Sequence, residues 1–143
     1  MNQTEIALGG GIDIHFYLDG QDTQQQFTLY KLVIHPNARV PIAHYHPAFD
    51  ETFYGLKGLI QLTIDGNPVE LGVGDCQFIP RGTAHRFANN TQEMVEMLCY
   101  ATPGVFGWAY FKEMAAVLTA VGPPDPQKLK SIMLDHGLVP VAS

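Results

Sequence analysis

Along the first hundred residues, apolar and polar positions alternate in short bursts. Ile12, Ile14, Phe16 and Leu18 interleave with Asp13, His15, Tyr17 and Asp19, the period of a half-buried strand. Further short segments follow near 27–35, 39–46, 51–57, 59–65, 68–71, 76–80, 84–88 and 94–101, most of them bounded by Gly, Pro, Asn or Asp. Asp65-Gly66 ahead of Asn67-Pro68 predicts a tight turn. Many short strands at regular spacing predict an all-β sandwich or barrel over 1–101.

After residue 101 the period changes. Thr102-Pro103 reads as an N-cap and first helical position. Trp108, Phe111, Ala115 and Leu118 then recur at helical spacing, and Gly122 is a stop signal. Pro123-Pro124 breaks the chain. Asp125-Pro126 opens a second helix with Leu129, Ile132 and Met133 on one face and Gly137 at its end. The two helices of 102–143 are expected to cover the barrel within the same domain, their aromatic and Met stripes serving as packing surface.

Composition narrows the classes. The 143 residues suit one domain with a real core; 46% are hydrophobic and 15% charged, which excludes the disordered class. With a formal net charge of −6 and eight scattered Lys and Arg, the chain has no basic face for nucleic acid. The opening MNQTEIALGG lacks a secretory signal, and no apolar run reaches the roughly 20 residues that span a bilayer. A cytoplasmic protein is therefore expected, with Cys76 and Cys99 reduced and packed.

The candidate chemistry begins at HYHPAFDE, 44–51. On a strand over 39–46, His44 and His46 point to one face together with Val40 and Ile42, which makes that face the interior. Two imidazoles there need partners, and a metal ion is one. Glu51, past a turn at Pro47, can face back from the next strand, and a buried Glu is rare unless paired or bound to a cation. In GDCQFIPRGTAHRFAN, 74–89, Gly74 and Gly82 punctuate the chain and His85 shares a face with Phe87. Imidazole and carboxylate suit Fe, Mn, Ni, Zn, Cu or Co. His15 is expected on an exposed strand face, His35 has no assigned role, and His136 sits where a helix end favours a cation.

The two segments together resemble the cupin family. Its first motif runs Gly, five residues, His-X-His, three or four residues, Glu, six residues, Gly. His44, His46, Glu51 and Gly58 match it, with Ala38 in place of the opening Gly. The second motif runs Gly, five residues, Pro-X-Gly, two residues, His, three residues, Asn, and is matched by Gly74, Pro80, Gly82, His85 and Asn89. DETFYGLKG and the tail from ATPGVF through GPPDPQKLKSIMLDHGL resemble a subgroup of small bacterial cupins labelled quercetin-dioxygenase-like. The resemblance implies a double-stranded β-helix (jelly-roll) barrel with a C-terminal two-helix extension. It also implies one divalent transition-metal ion on His44, His46, Glu51 and His85, and a homodimer. Gly55, where a β-branched residue is more usual, is expected to open the pocket beside Glu51.

Alternation places Val40, Ile42, Phe53 and Phe87 around the ligands, joined by Met94, Leu98 and Tyr100 from the last barrel strand. Such a lining suits a small apolar or aromatic hydroxylated ligand. Three functions fit: a metal-dependent dioxygenase with Glu51 as catalytic base; a non-redox isomerase, epimerase or lyase using the metal as Lewis acid; or a non-catalytic binding cupin. Arg39 and Arg86 are out of phase with the ligand face and Arg81 lies in a turn, which disfavours sugar phosphates.

Overall fold

The computed structural model describes residues 4–40 and 42–141. Its strands are β1 (Glu5–Gly9), β2 (Ile12–Leu18), β3 (Thr28–Ile34), β4 (His44–Tyr45), β5 (Asp50–Lys57), β6 (Ile60–Ile64), β7 (Asn67–Leu71), β8 (Cys76–Ile79), β9 (His85–Ala88), β10 (Val95–Thr102) and β11 (Val139–Pro140). Two helices, α1 (Trp108–Leu118) and α2 (Pro126–Asp135), precede β11. The strands form two antiparallel sheets, ordered β1-β2-β3-β10-β5-β8 and β11-β4-β9-β6-β7. The fold is a jelly-roll barrel with C-terminal helices.

Alternation explains the core. Ile14 and Phe16 of β2, Tyr30 and Ile34 of β3, and Met97, Cys99 and Ala101 of β10 are all buried on one face of the larger sheet. They oppose Ile60, Leu62 and Phe87 of the smaller one. Asp65 and Gly66 both take positive φ, 48° and 80°, closing the two-residue β6–β7 hairpin as expected.

Three local expectations are corrected. The segment 39–46 is not one strand: Arg39 bridges Ala88, and only His44–Tyr45 pairs regularly thereafter. Thr102 does not cap α1 but ends β10. The helix begins at Trp108, whose N–H donates to Asp19 Oδ1 at 3.0 Å, a cap supplied from far back in the chain. Gly107 permits this, because a Cβ there would stand 2.3 Å from that oxygen. Cys76 is exposed rather than packed, while Cys99 is buried; both are free. α2 follows its signals, with Pro126 at N1 and the Asp125 side chain accepting from Gln127 N–H.

The motif residues have plain structural work. Asn89, fully buried, donates from Nδ2 to the carbonyls of Ile34, His35 and Glu93 at 2.8–3.1 Å, tying three loop ends together. The Ala38 departure is harmless: the left-handed residue of that turn is Asn37 (φ 66°), and the Ala38 methyl packs in the core. Gly55 does not open the pocket. Its missing side chain admits the Gly72 carbonyl, which would lie 2.0 Å from a Cβ.

Candidate metal centre

His44 on β4, His46 just beyond it and His85 at the start of β9 converge, with ligand atoms all within 4.8 Å of one another. Pairing of His44 with His85 across β4 and β9 brings the two segments together. His44 Nδ1–H donates to the Ile42 carbonyl (3.1 Å) and His85 Nδ1–H to the Thr83 carbonyl (2.9 Å). In both rings this leaves Nε2 as the nitrogen available to a metal ion. His46 Nε2 lies 3.2 Å from His85 Nε2, while its Nδ1 is buried without a hydrogen-bond partner among the described residues. Phe49 packs edge-on against that ring, 4.2 Å between centroids, and helps fix its angle.

Glu51, expected as a fourth ligand, stands beside this trio. Its Oε1 is 3.5 Å from His85 Nε2 and 4.0 Å from His46 Nε2. Its Oε2 accepts a 2.6 Å hydrogen bond from the Tyr30 hydroxyl. Tyr30 was not among the expected site residues.

Burial sets the charge states. It pushes the His44 and His46 imidazoles down to about 4, with charge on His85 adding to the effect at both, so both are neutral over the physiological range. Burial acts to raise the Glu51 carboxyl, but the His85 hydrogen bond, the charges of His46 and His85 and the Tyr30 hydroxyl outweigh it and hold the group at about 2. Burial likewise opposes charge on His85, yet its pairing with Glu51 raises it above its ordinary value. Burial and the nearby Glu51 charge push the Tyr30 phenol well up, so it remains a donor.

A cavity of about 400 Å³ adjoins the trio, its wall drawn from both sheets and both helices. Val40, Ile42, Phe53 and Phe87 line it as expected. Met94, Leu98 and Tyr100 do not. Met94 precedes β10, and Leu98 and Tyr100 lie on that strand's outer face, with Tyr100 39% exposed, while Val95, Met97, Cys99 and Ala101 point inward. Instead Phe106, Tyr110, Phe111 and Met114 complete the wall, so the region expected only to pack on the barrel shapes the site. Arg39 and Arg86 also border the cavity, but their side chains are exposed, and Arg86 lies out of phase with buried His85 and Phe87 as expected. Arg81 does not: it holds Asp50 at 3.0 Å. Of the other histidines, His15 pairs with Glu5, His35 with Asp13, and His136 with Glu113.

The site can be tested for fit to a metal. Three neutral or displaceable imidazole nitrogens share one small volume, two of them oriented by carbonyl acceptors in the manner of ligating histidines. The third keeps a buried ring nitrogen that no protein group satisfies among the described residues. That donor set fits a divalent first-row transition metal.

A family model described as "Cupin domain" matches residues 30–100. A protein of Aquifex aeolicus described as uncharacterised is 40% identical over 76 residues, 53% of this chain and 60% of that protein. Quercetin 2,3-dioxygenase of Bacillus subtilis is 29% identical over 90 residues, 62% of this chain but 26% of the enzyme. The chain thus spans between about a quarter and three fifths of these relatives. Among solved structures, the polyketide cyclase RemF of Streptomyces resistomycificus superposes with a TM-score of 0.60 at 27% identity, covering 70% of this chain and 72% of RemF.

Proposed function

Because the chain belongs to the cupin superfamily, we propose that it is a metal-dependent dioxygenase acting on an apolar, aromatic compound with a phenol or enol hydroxyl. The observation that carries this reading is a three-histidine cluster with a buried carboxylate in the wall of an aromatic cavity. His44, His46 and His85 would hold the ion. When bound, a redox-active ion supplies Lewis acidity toward the substrate oxygen and a path for electrons to dioxygen.

The chain's own residues do the rest. Glu51, held ionised, accepts the hydroxyl proton at Oε1, the oxygen that faces the imidazoles. Phe53, Phe87, Phe106 and Phe111 flank a planar ring and keep water from it. A volume of about 400 Å³ suits a small ligand. We infer a homodimer as well: on the outer face of the larger sheet Tyr100 and Phe78 (54% exposed) lie in register across Thr52, with Tyr54 (41%) two positions further along β5, an apolar patch that a second copy would cover.

The likeness to RemF supports a second reading, redox-neutral enolate chemistry. In it Glu51 takes a proton from carbon beside a carbonyl, and no oxygen is consumed. The test is an oxygen-uptake and product-mass screen of the metal-loaded protein over flavonols, catechols and β-diketones. Uptake with two oxygen atoms gained by the product supports the dioxygenase. An isomerised or cyclised product without uptake supports the second reading, and binding without any turnover reduces the protein to a binding cupin.

A further inference from the structure

Between Phe106 and Leu138 the cavity is lined by Phe, Met and Leu, with one hydroxyl among them, that of Tyr110. Tyr110 lies on the buried face of α1 and is 7% exposed. Its ring is held by Phe106 (centroids 5.0 Å), Phe111 (5.2 Å) and His136 (5.6 Å). His136 is in turn paired with Glu113 of the same helix. Packing on three sides fixes the ring, yet its hydroxyl makes no hydrogen bond among the described residues. Tyr30, the other tyrosine of the wall, has spent its hydroxyl on Glu51 Oε2 at 2.6 Å.

A shielded hydroxyl without a partner is uncommon, because it forfeits its bonds to water for nothing in return. Burial, with the Glu51 charge adding to it, pushes the Tyr110 phenol well up, so it stays a donor. Tyr110 acts in the same sense on Tyr30. That mutual influence supports a hydroxyl turned toward Glu51 and Tyr30 across the cavity, away from the surface pair of His136 and Glu113.

We infer that Tyr110 is a specificity-determining residue, whose hydroxyl donates to a second oxygen of the ligand, set apart from the oxygen that faces the histidines. The inference rests on the cavity being the ligand site proposed above, and it narrows the ligand class. An apolar body must carry two oxygen functions, one at the metal centre and one acceptor, an ether or carbonyl, at the helical wall. Apolar pockets take their selectivity from a few such placed polar groups. The alternative is that Tyr110 only fills the wall. It predicts that removing the hydroxyl changes affinity for all ligands alike.

The experiment measures calorimetric affinities of the metal-loaded full chain, wild type and Tyr110→Phe, for two isosteric pairs of probes. One pair is a catechol with a propyl side chain against its methoxymethyl isostere. The other is a flavonol with an ethyl group on its pendant ring against its methoxy isostere. Within each pair only a CH₂ is exchanged for an ether oxygen, and taking the ratio between the two proteins cancels differences in hydration and in metal affinity.

The expected result is that, in at least one pair, the ether-to-alkyl affinity ratio is about tenfold higher in wild type than in Tyr110→Phe. Without ligand, Tyr110→Phe should melt at the same temperature as wild type or higher, since the lost hydroxyl served no partner. A ratio that shifts by less than about threefold in both pairs overturns the inference, as does failure of wild type to bind any of the four probes. A variant that unfolds, or melts clearly lower, shows the hydroxyl to be structural and overturns it as well. A probe that shows the shift but is bound or converted without oxygen uptake sinks the dioxygenase reading alone and leaves this inference standing.

Discussion

The Nε2 atoms of His46 and His85 lie 3.2 Å apart, and the two rings reach that point with different commitments. His85 has spent its Nδ1–H on the Thr83 carbonyl, whereas His46 has no partner at Nδ1 among the described residues. So short a separation needs a shared proton, or a cation in its place. Pairing with Glu51 raises His85 above its ordinary value, while burial pushes His46 down to about 4, so the proton resides on the His85 side.

Metal binding should therefore expel one proton. Below the elevated value of His85, the metal-free ring is charged and must lose its proton to ligate; above it, nothing is left to lose. His44 and His46, at about 4, contribute none near neutrality. Affinity should climb roughly tenfold per pH unit below the raised value of His85 and level off above it. Calorimetry in buffers of different ionisation enthalpy should count about one proton near pH 6. A count near zero, or of two or more, would show that these three rings are not charged as described.

Asn89 is the internal brace of the second motif rather than part of the chemistry. Asn89→Ala strips three backbone carbonyls of a buried donor. Urea unfolding should show a loss of about 3 kcal/mol. The surviving folded fraction should still take up metal; full stability in this variant would mean that water replaces the amide at no cost.

Gly55→Ala should be among the most damaging small substitutions in the barrel. Its Cβ would meet the Gly72 carbonyl at 2.0 Å, backbone against backbone, with no flexible group to yield. A loss of about 3 kcal/mol or more is expected in the same assay. A variant as stable as wild type with an enlarged cavity would restore the pocket-opening role that the sequence suggests for this glycine.

Sequence patterns carried the barrel, the C-terminal helices and the histidine trio, because ligands two apart and glycines at fixed offsets leave a local signature. What they missed depends on tertiary register. Tyr30 comes near Glu51 only because β10 lies between β3 and β5, pairing Cys99 with Tyr30 on one side and Ala101 with Glu51 on the other. No short-range pattern records that. The inner face of β10 was misjudged because both faces are apolar: Leu98 and Tyr100 look as core-like as Met97 and Cys99, and alternation cannot choose between them. The start of α1 was misplaced because its cap, Asp19, stands 89 positions from Trp108.

The claim on which everything else depends is that His44, His46 and His85 form one metal centre. Elemental analysis of the purified protein and of His46→Ala and His85→Ala, each shown folded by circular dichroism, tests it directly. The account predicts about one divalent transition-metal ion per wild-type chain after loading and a small fraction of that in both variants. Equal metal content in all three folded proteins would contradict it.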